Sequence, residues 1–350
     1  MLKNLSLTNF RNHAKFDLEF GEISVLVGKN GGGKTNVLEA IGLLSCGRSF
    51  RGDNRLEMIS FDRDFARIVG DDLEVFIQRT PRLLFQMKER GIKRKIADFV
   101  GILPSVFFSP ESLQIITGEP KERRRFLDIV ISQKNHKYLQ ALLDYKKVLV
   151  QRNSLLKLLQ SGGTHSTSSG RVDESQLDFW DSELAAAAKI ITRDRQAVVK
   201  KFSAEISKFY QTISGQKTTE LEIIYHAKAG ENFSEKLRSK RGLDIAVGMT
   251  TSGPHRDDLQ FKLNNLEAEK YASRGELRSI ILALKMAELK YLEDGAKPIL
   301  LLDDIFSEFD ADHRAHLYDL IKNYQTIITT TDRNHLAGDL LTKSRVVEMK

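Results

Sequence analysis

Apolar residues recur along this chain in two rhythms. Near the amino terminus Phe16, Leu18 and Phe20 alternate with polar residues, the period of two that marks a half-buried strand. Leu2, Leu5 and Leu7 stand among polar neighbours in a similar way. The run ISVLV after Glu22 is apolar throughout, as a strand covered on both faces must be. A glycine-rich turn follows, and then Val37, Leu38, Ile41 and Leu44 recur at helical spacing. Period two returns at Leu73, Val75 and Ile77 and again from Leu84 to Met87, predicting antiparallel strands beside the first strand–turn–helix unit.

From about residue 120 the pattern becomes helical. Lys121 to Leu159 carries Phe126, Ile129, Val130, Leu139, Leu142, Leu143, Leu149 and Leu156. Ser161 to Gly170 (SGGTHSTSSG) interrupts it and reads as a turn. A second helical stretch runs from about Glu174 to Ile213. Two such helices suggest an antiparallel hairpin; about 40 residues at ~1.5 Å each would reach roughly 60 Å. The last hundred residues return to alternation: a strand at Leu259, Phe261 and Leu263, an amphipathic helix from Leu277 to Tyr291, and apolar strands at Ile299–Leu302 and Ile327–Thr330. The expected fold class is α/β: one head built from residues 1–118 and 245–350 with an antiparallel β flank, and an inserted α-helical arm at 119–244.

Composition narrows the class. Of 350 residues, 41% are hydrophobic and 29% charged, the balance of a globular domain rather than a disordered chain. No stretch approaches the ~20 uninterrupted apolar residues that span a bilayer, and the opening MLKNLSLTNFRNH lacks the apolar core of a signal peptide. Cys46 is the only cysteine, which excludes an intrachain disulfide and a cysteine metal cage and fits a cytoplasmic, reducing setting. The formal charge of +7 suits a polyanionic partner, though many proteins share such a balance.

The sharpest local signal is Gly28, Lys29, Asn30, Gly31, Gly32, Gly33, Lys34 and Thr35, a GxxxxGKT loop between a strand and a helix. Glycines let the backbone wrap a phosphate with its N–H groups pointing inward, and the following helix adds its positive end. Lys34 is expected to reach the outer phosphates and the Thr35 hydroxyl to ligate Mg²⁺. Far along the chain Asp303 and Asp304 follow the apolar run ILLL. Asp303 is placed to hold Mg²⁺, and Asp304 to orient or deprotonate an attacking water. A strand ending at the surface would look the same, and the phosphate loop tips the reading towards catalysis. Ser273, Arg274, Gly275 and Glu276 open the amphipathic helix. Ser273 with Glu276 three residues on is a capping box, a routine helix start; the same exposed N–H groups could bind the γ-phosphate of ATP held by a second subunit.

The order of these segments, closed by Ser307 and Asp310, is that of ABC-type ATPases. The chain resembles the RecF family, relatives of the SMC and Rad-type DNA-repair ATPases. The resemblance rests on Asn9-Phe-Arg-Asn12, the loop through Ile41, Gly47–Arg51, Phe108–Glu111, Pro120 with Arg123–Asp128, Gly253-Pro-His-Arg-Asp-Asp-Leu259 and Leu302–Asp310. It implies an ABC-type P-loop ATPase head that binds ATP and Mg²⁺, with Arg11 and Asn12 beside the nucleotide, Ser273–Glu276 as a signature loop acting across a homodimer, and Ser307 and Asp310 in the D-loop. It also implies DNA binding at gaps and junctions, and work with RecO and RecR to load the RecA recombinase. Two positions depart from the pattern. The signature loop reads Ser273-Arg-Gly-Glu276 instead of SQGQ or SGGQ, and Thr329-Thr-Thr-Asp332 stands where many ABC ATPases carry a histidine. The latter fits slow hydrolysis used as a timer.

His255 is either a catalytic base or a hydrogen-bonded turn residue, and the turn is the commoner fate. Arg123, Arg124 and Arg125, and Lys93, Arg94 and Lys95 with Lys88 and Arg90, are either DNA contacts or solvated faces. A transport ATPase subunit would not devote a hundred residues to a helical arm. A small-molecule kinase would need no Ser273 loop, and a purely structural DNA-bridging protein would need no nucleotide site.

Overall fold

Residues 1–52, 54–161, 173–230, 232–293 and 296–349 are described in the computed structural model. The first third of the chain runs β1 (Asn4–Phe10), β2 (His13–Glu19), β3 (Ile23–Val27), α1 (Lys34–Cys46), β4 (Phe65–Gly70), β5 (Leu73–Gln78), β6 (Leu84–Glu89), β7 (Ile92–Arg94) and β8 (Ser105–Phe108). Then come α2 (Pro120–Ser132), α3 (His136–Gln160), α4 (Leu177–Ser214) and β9 (Leu221–His226). The last third is β10 (Asp258–Leu263), β11 (Leu266–Glu267), α5 (Arg274–Leu292), β12 (Ile299–Asp303), α6 (Ala311–Ile321), β13 (Thr326–Thr330) and β14 (Arg345–Glu348). Short helical turns join several of these. Residues 162–170 of the expected turn lie outside the described residues.

The apolar runs at Ile23, Ile299 and Ile327 pair side by side. They form a parallel sheet in the order β14-β3-β13-β12-β8. Parallel strands bury both faces, and successive side chains go to opposite ones. Ile299 and Leu301 accordingly join one core with α1 and the antiparallel sheet β2-β1-β4-β5-β6-β7. Leu300 and Leu302 join a second core with α2, α4 and α5. Sandwiched this way, the sheet carries the loop after β3 and the acids after β12 at the same edge.

The inserted segment is not wholly helical. β9 pairs antiparallel with β10, from Leu221 opposite Leu263 to His226 opposite Asp258. A cut between residues 244 and 245 therefore separates two strands of one three-stranded sheet. Nor does α4, 38 residues long, project freely. Its first part packs on α3, where Arg195 and Asp194 reach Tyr138 and Asn135. Its second half runs antiparallel along α5: Phe202 meets Tyr291, and Lys290 pairs with Glu205. Further on, burial and the Glu276 carboxylate push the Tyr210 hydroxyl up to about 12. Among the described residues no helix is long and apolar enough to cross a membrane.

Candidate nucleotide site

The loop after β3 is pinned from three sides. Gly28 passes so close to the carboxyl-terminal strand that a Cβ there would collide with Met349 O. Gly33 has φ +85 and a Cβ there would strike the His13 ring, so glycine is required at both ends of the turn. His13 Nε2–H donates to Gly33 O at 3.1 Å, and burial holds its pKa below the usual histidine value. Asn12 donates to Gly31 O and accepts from Asn36. Lys34, only 7% exposed, places Nζ inside the loop, 2.6 Å from Gly28 O and 2.9 Å from Lys29 O. These two carbonyls occupy two of the ammonium's three N–H donors and leave the third for a phosphate oxygen.

Arg11 does a different job from its neighbour Asn12. Its guanidinium forks onto Glu39 of α1, at 3.0 and 2.6 Å, and also donates to Glu57 O. Glu39 is fully buried and takes the Ser49 hydroxyl as well. Arg11 thus anchors the helix behind the loop, and its three donor groups are occupied there.

Thr35 and Asp303 come together across 268 residues: Thr35 Oγ1 donates to Asp303 Oδ1 at 2.9 Å. The same carboxylate oxygen accepts from Thr329 Oγ1 at 2.6 Å. Burial raises the Asp303 pKa despite these two hydroxyl bonds. Asp304 follows in a left-handed conformation, φ 48, which swings its side chain out of the strand's alternation. Its amide donates to Thr329 O and Oγ1, and its buried Oδ1 has no protein partner. Thr329 was legible in the sequence only as a missing histidine; here it locks both acids. The donors are a hydroxyl and carboxylates, all hard oxygens suited to Mg²⁺.

Ser273 caps α5. Its hydroxyl accepts from Glu276 N at 3.3 Å, and Glu276 returns the bond to Ser273 N at 2.7 Å. The turn is exposed, and a Cβ on Gly275 would meet nothing within 4 Å. Among the described residues no hydrogen bond or ion pair joins 273–276 to the phosphate loop. In the loop after β12, Ser307 Oγ donates to Asp304 O, while Asp310 caps α6.

Comparison with known proteins agrees with this geometry. The family model for the RecF/RecN/SMC N-terminal domain matches residues 1–348. The DNA replication and repair protein RecF of Lachnoclostridium phytofermentans is 36% identical, covering 100% of this chain and 98% of the relative. The chain belongs to the RecF family. The RecF of Bacillus subtilis is 35% identical over 94% of this chain and 93% of its own. A solved recombination mediator protein RecF with ATP, from the RecFOR pathway, superposes with a TM-score of 0.85 at 34% identity, covering 97% of this chain and 94% of that one. An Smc head domain from Pyrococcus furiosus shares the fold, at a TM-score of 0.53 and 18% identity over 100% of this chain and 94% of that one. The fold is therefore the RecF/SMC-like ATPase head, and the chain belongs to the ABC/SMC-type ATPases.

The stretch Gly253-Pro-His-Arg-Asp-Asp258 forms a clasp around Asp257, which is fully buried. Asp257 accepts from Arg195 of α4 at 3.1 Å, from the Tyr225 hydroxyl of β9 and from Lys228 N. Arg195 also reaches Asp128 of α2. His255 donates Nε2–H to Thr250 O and accepts the Tyr145 hydroxyl at Nδ1, since a carbonyl can only accept. Both ring nitrogens are engaged in the turn.

The arginine cluster belongs to the same clasp. Arg123 is 5% exposed and forks onto Asp258 at 2.7 and 3.2 Å. It is no surface for DNA, because ion pairing holds it inside. Arg124 donates to Asp257 O and Arg125 to Ser49 O. By contrast Lys93 and Lys95 are exposed on the edge hairpin of the antiparallel sheet, where Arg94 pairs with Glu89.

Proposed function

We propose that this chain is an ATP-dependent DNA-binding protein of recombinational repair and replication restart, whose two copies close around two ATP molecules and hold DNA at gaps or junctions. The observation that carries this reading is the Thr35–Asp303–Thr329 cluster, which joins the phosphate loop to the acids of β12 in a site lined by oxygen donors. Gly28, Lys29, Asn30, Gly31, Gly32, Gly33, Lys34 and Thr35 wrap the phosphates, with Asn12 bracing the loop and Arg11 bracing its helix. Mg²⁺ held beside Thr35 and Asp303 would draw charge off the β- and γ-phosphates. Asp304 orients the attacking water: its buried, unpartnered oxygen suits accepting a hydrogen bond there.

Lys34 and Asp303 lie on one subunit, whereas Ser273, Arg274 and Gly275 are exposed, Glu276 is half-buried, and none of the described bonds links them to that loop. Across a two-fold axis the same turn, with Ser307 and Asp310, would complete the partner's site. Hydrolysis removes the shared phosphate contact and releases the pair, which makes slow turnover a timer. RecO and RecR are the expected partners in loading RecA, in the cytoplasm. Mass in solution, measured with ATP, with ADP and with gapped DNA, tests the reading: ATP alone should favour the pair, and a chain monomeric with ATP and DNA would refute it.

A further inference from the structure

His313 is a buried imidazole that no step above uses. It sits in the first turn of α6, 8% exposed. Its Nδ1 lies 2.7 Å from Asp310 Oδ1, the oxygen that also takes the His313 amide at 3.0 Å. Its Nε2 lies 2.8 Å from Ser279 Oγ of α5, a residue 4% exposed. Ser279 Oγ in turn lies 3.2 Å from Gly275 O. Ser279, His313 and Asp310 therefore bridge α5 to α6, with Ser279 one helical turn after Gly275 of the signature turn. Phe309 packs against the ring at 5.4 Å between centroids, and Arg278 with Glu308, 3.6 Å apart, bridges the same two elements nearer the surface.

For a neutral ring the donor and acceptor roles are set by its partners. A carboxylate can only accept, so His313 Nδ1 carries a proton. In the neutral ring Nε2 is then an acceptor, and Ser279 donates to it. Ser279 has a single hydroxyl proton and two acceptors within reach, His313 Nε2 and Gly275 O. Donated to Nε2, the proton ties α5 to the D-loop helix, and Gly275 is held to Ser279 by the helix they share.

We infer that His313 is a positioning residue that locks the signature turn to the D-loop, so that the two elements offered to the partner's nucleotide move as one. The inference rests on the two-ATP reading above. Each element alone hangs from one end of a helix. Held through His313, Gly275 and Asp310 keep a fixed spacing, and a contact made by either on a γ-phosphate is felt by the other.

The test compares the unsubstituted chain with Ser279→Ala, His313→Asn and the double variant. Asparagine can keep the bond to Asp310 and loses the one to Ser279. ATP turnover, KM for ATP, ATP-driven dimer mass and thermal melting are read for each. Coupling of the usual size between touching polar groups predicts that each single variant lowers kcat roughly tenfold. KM for ATP should stay near that of the unsubstituted chain, melting should fall only by what one lost buried hydrogen bond costs, and the double variant should be no worse than either single. A merely structural role would lower the melting temperature without splitting kcat from KM. If His313→Asn does not fold, Ser279→Ala carries the test alone, since it removes one oxygen. Unchanged turnover in both singles, or effects that multiply in the double, overturns the lock. If the unsubstituted chain itself stays monomeric with ATP, the two-ATP reading fails and takes the lock with it.

Discussion

Thr35 and Asp303, 268 residues apart in sequence, share a hydrogen bond of 2.9 Å. The link means that the helix start and the strand end cannot move independently, and it places a charge where burial disfavours charge. Asp303 binds its proton more tightly folded than unfolded, so its contribution to stability declines as pH rises from its ordinary value of 3.8 through its raised one. Asp303→Asn should therefore raise the melting temperature of the nucleotide-free protein at pH 7 and abolish Mg²⁺-dependent turnover. The gain should shrink as the melts are repeated towards pH 4. A lower melting temperature at pH 7 would contradict the assigned penalty.

Thr329 is the residue whose importance only the fold reveals. Thr329→Val keeps the shape and removes the hydroxyl that holds Asp303 and receives the Asp304 amide. The expected loss is about 1 kcal/mol of stability and roughly a tenfold drop in kcat, with ATP affinity retained. Equilibrium nucleotide binding alongside steady-state turnover separates these. Turnover equal to that of the unsubstituted chain would show that the lock on the two acids is idle.

Ser273→Arg should abolish ATP-driven dimerisation and leave ATP binding intact, because residue 273 lies on an exposed turn with no link to its own phosphate loop. Analytical ultracentrifugation with ATP, ADP and a Mg²⁺ chelator reads the outcome. A variant that dimerises as the unsubstituted chain does would remove Ser273 from the interface.

The strands at Ile23, Ile299 and Ile327 were legible because their runs are short and rich in apolar or β-branched residues, and the phosphate loop because eight residues at fixed spacing have few other readings. β9 was not legible. Its sequence LEIIYH follows a 38-residue helix and pairs with a strand some 40 residues later, so nothing local marks it. Nor was the burial of Arg123 legible: it looks like part of a basic face with Arg124 and Arg125 until Asp258 arrives from the far end of the chain. The left-handed Asp304 and the Thr329 hydroxyl are likewise products of tertiary pairing, not of periodicity.

His255 and His13 both have pKa values pushed below 6.5, chiefly by burial. The unfolded chain takes up protons first as pH falls, so stability present at pH 7 is lost below about 6.5. Protonating His255 would also set Nδ1–H against the Tyr145 hydroxyl that now donates to it. Melts at pH 7, 6 and 5 should show a fall in the unsubstituted chain that His255→Gln makes shallower. Parallel curves for the two would mean that His255 titrates as freely as in the unfolded chain.

The two basic clusters should separate cleanly. Lys93→Ala with Lys95→Ala should weaken DNA binding and flatten its log–log salt dependence by about 0.9 for each phosphate no longer neutralised, with melting unchanged. Arg123→Ala should cost about 3 kcal/mol, since it leaves Asp258 without its partner at the clasp. An unchanged salt slope in the double lysine variant would clear the edge hairpin of any DNA role.

Helix α4 has a mechanical consequence. Its second half lies along α5, and its first half, packed on α3, extends to Leu177; on the two-ATP reading proposed above, the helices work as one stiff lever with the partner's nucleotide at the short end. Over 38 residues, ~57 Å at ~1.5 Å per residue, a tilt of about one degree at α5 displaces the outer end by about 1 Å. On that reading small rearrangements at the γ-phosphate are magnified there, and a load applied at Leu177 and Trp180 would be weighed against the grip on ATP.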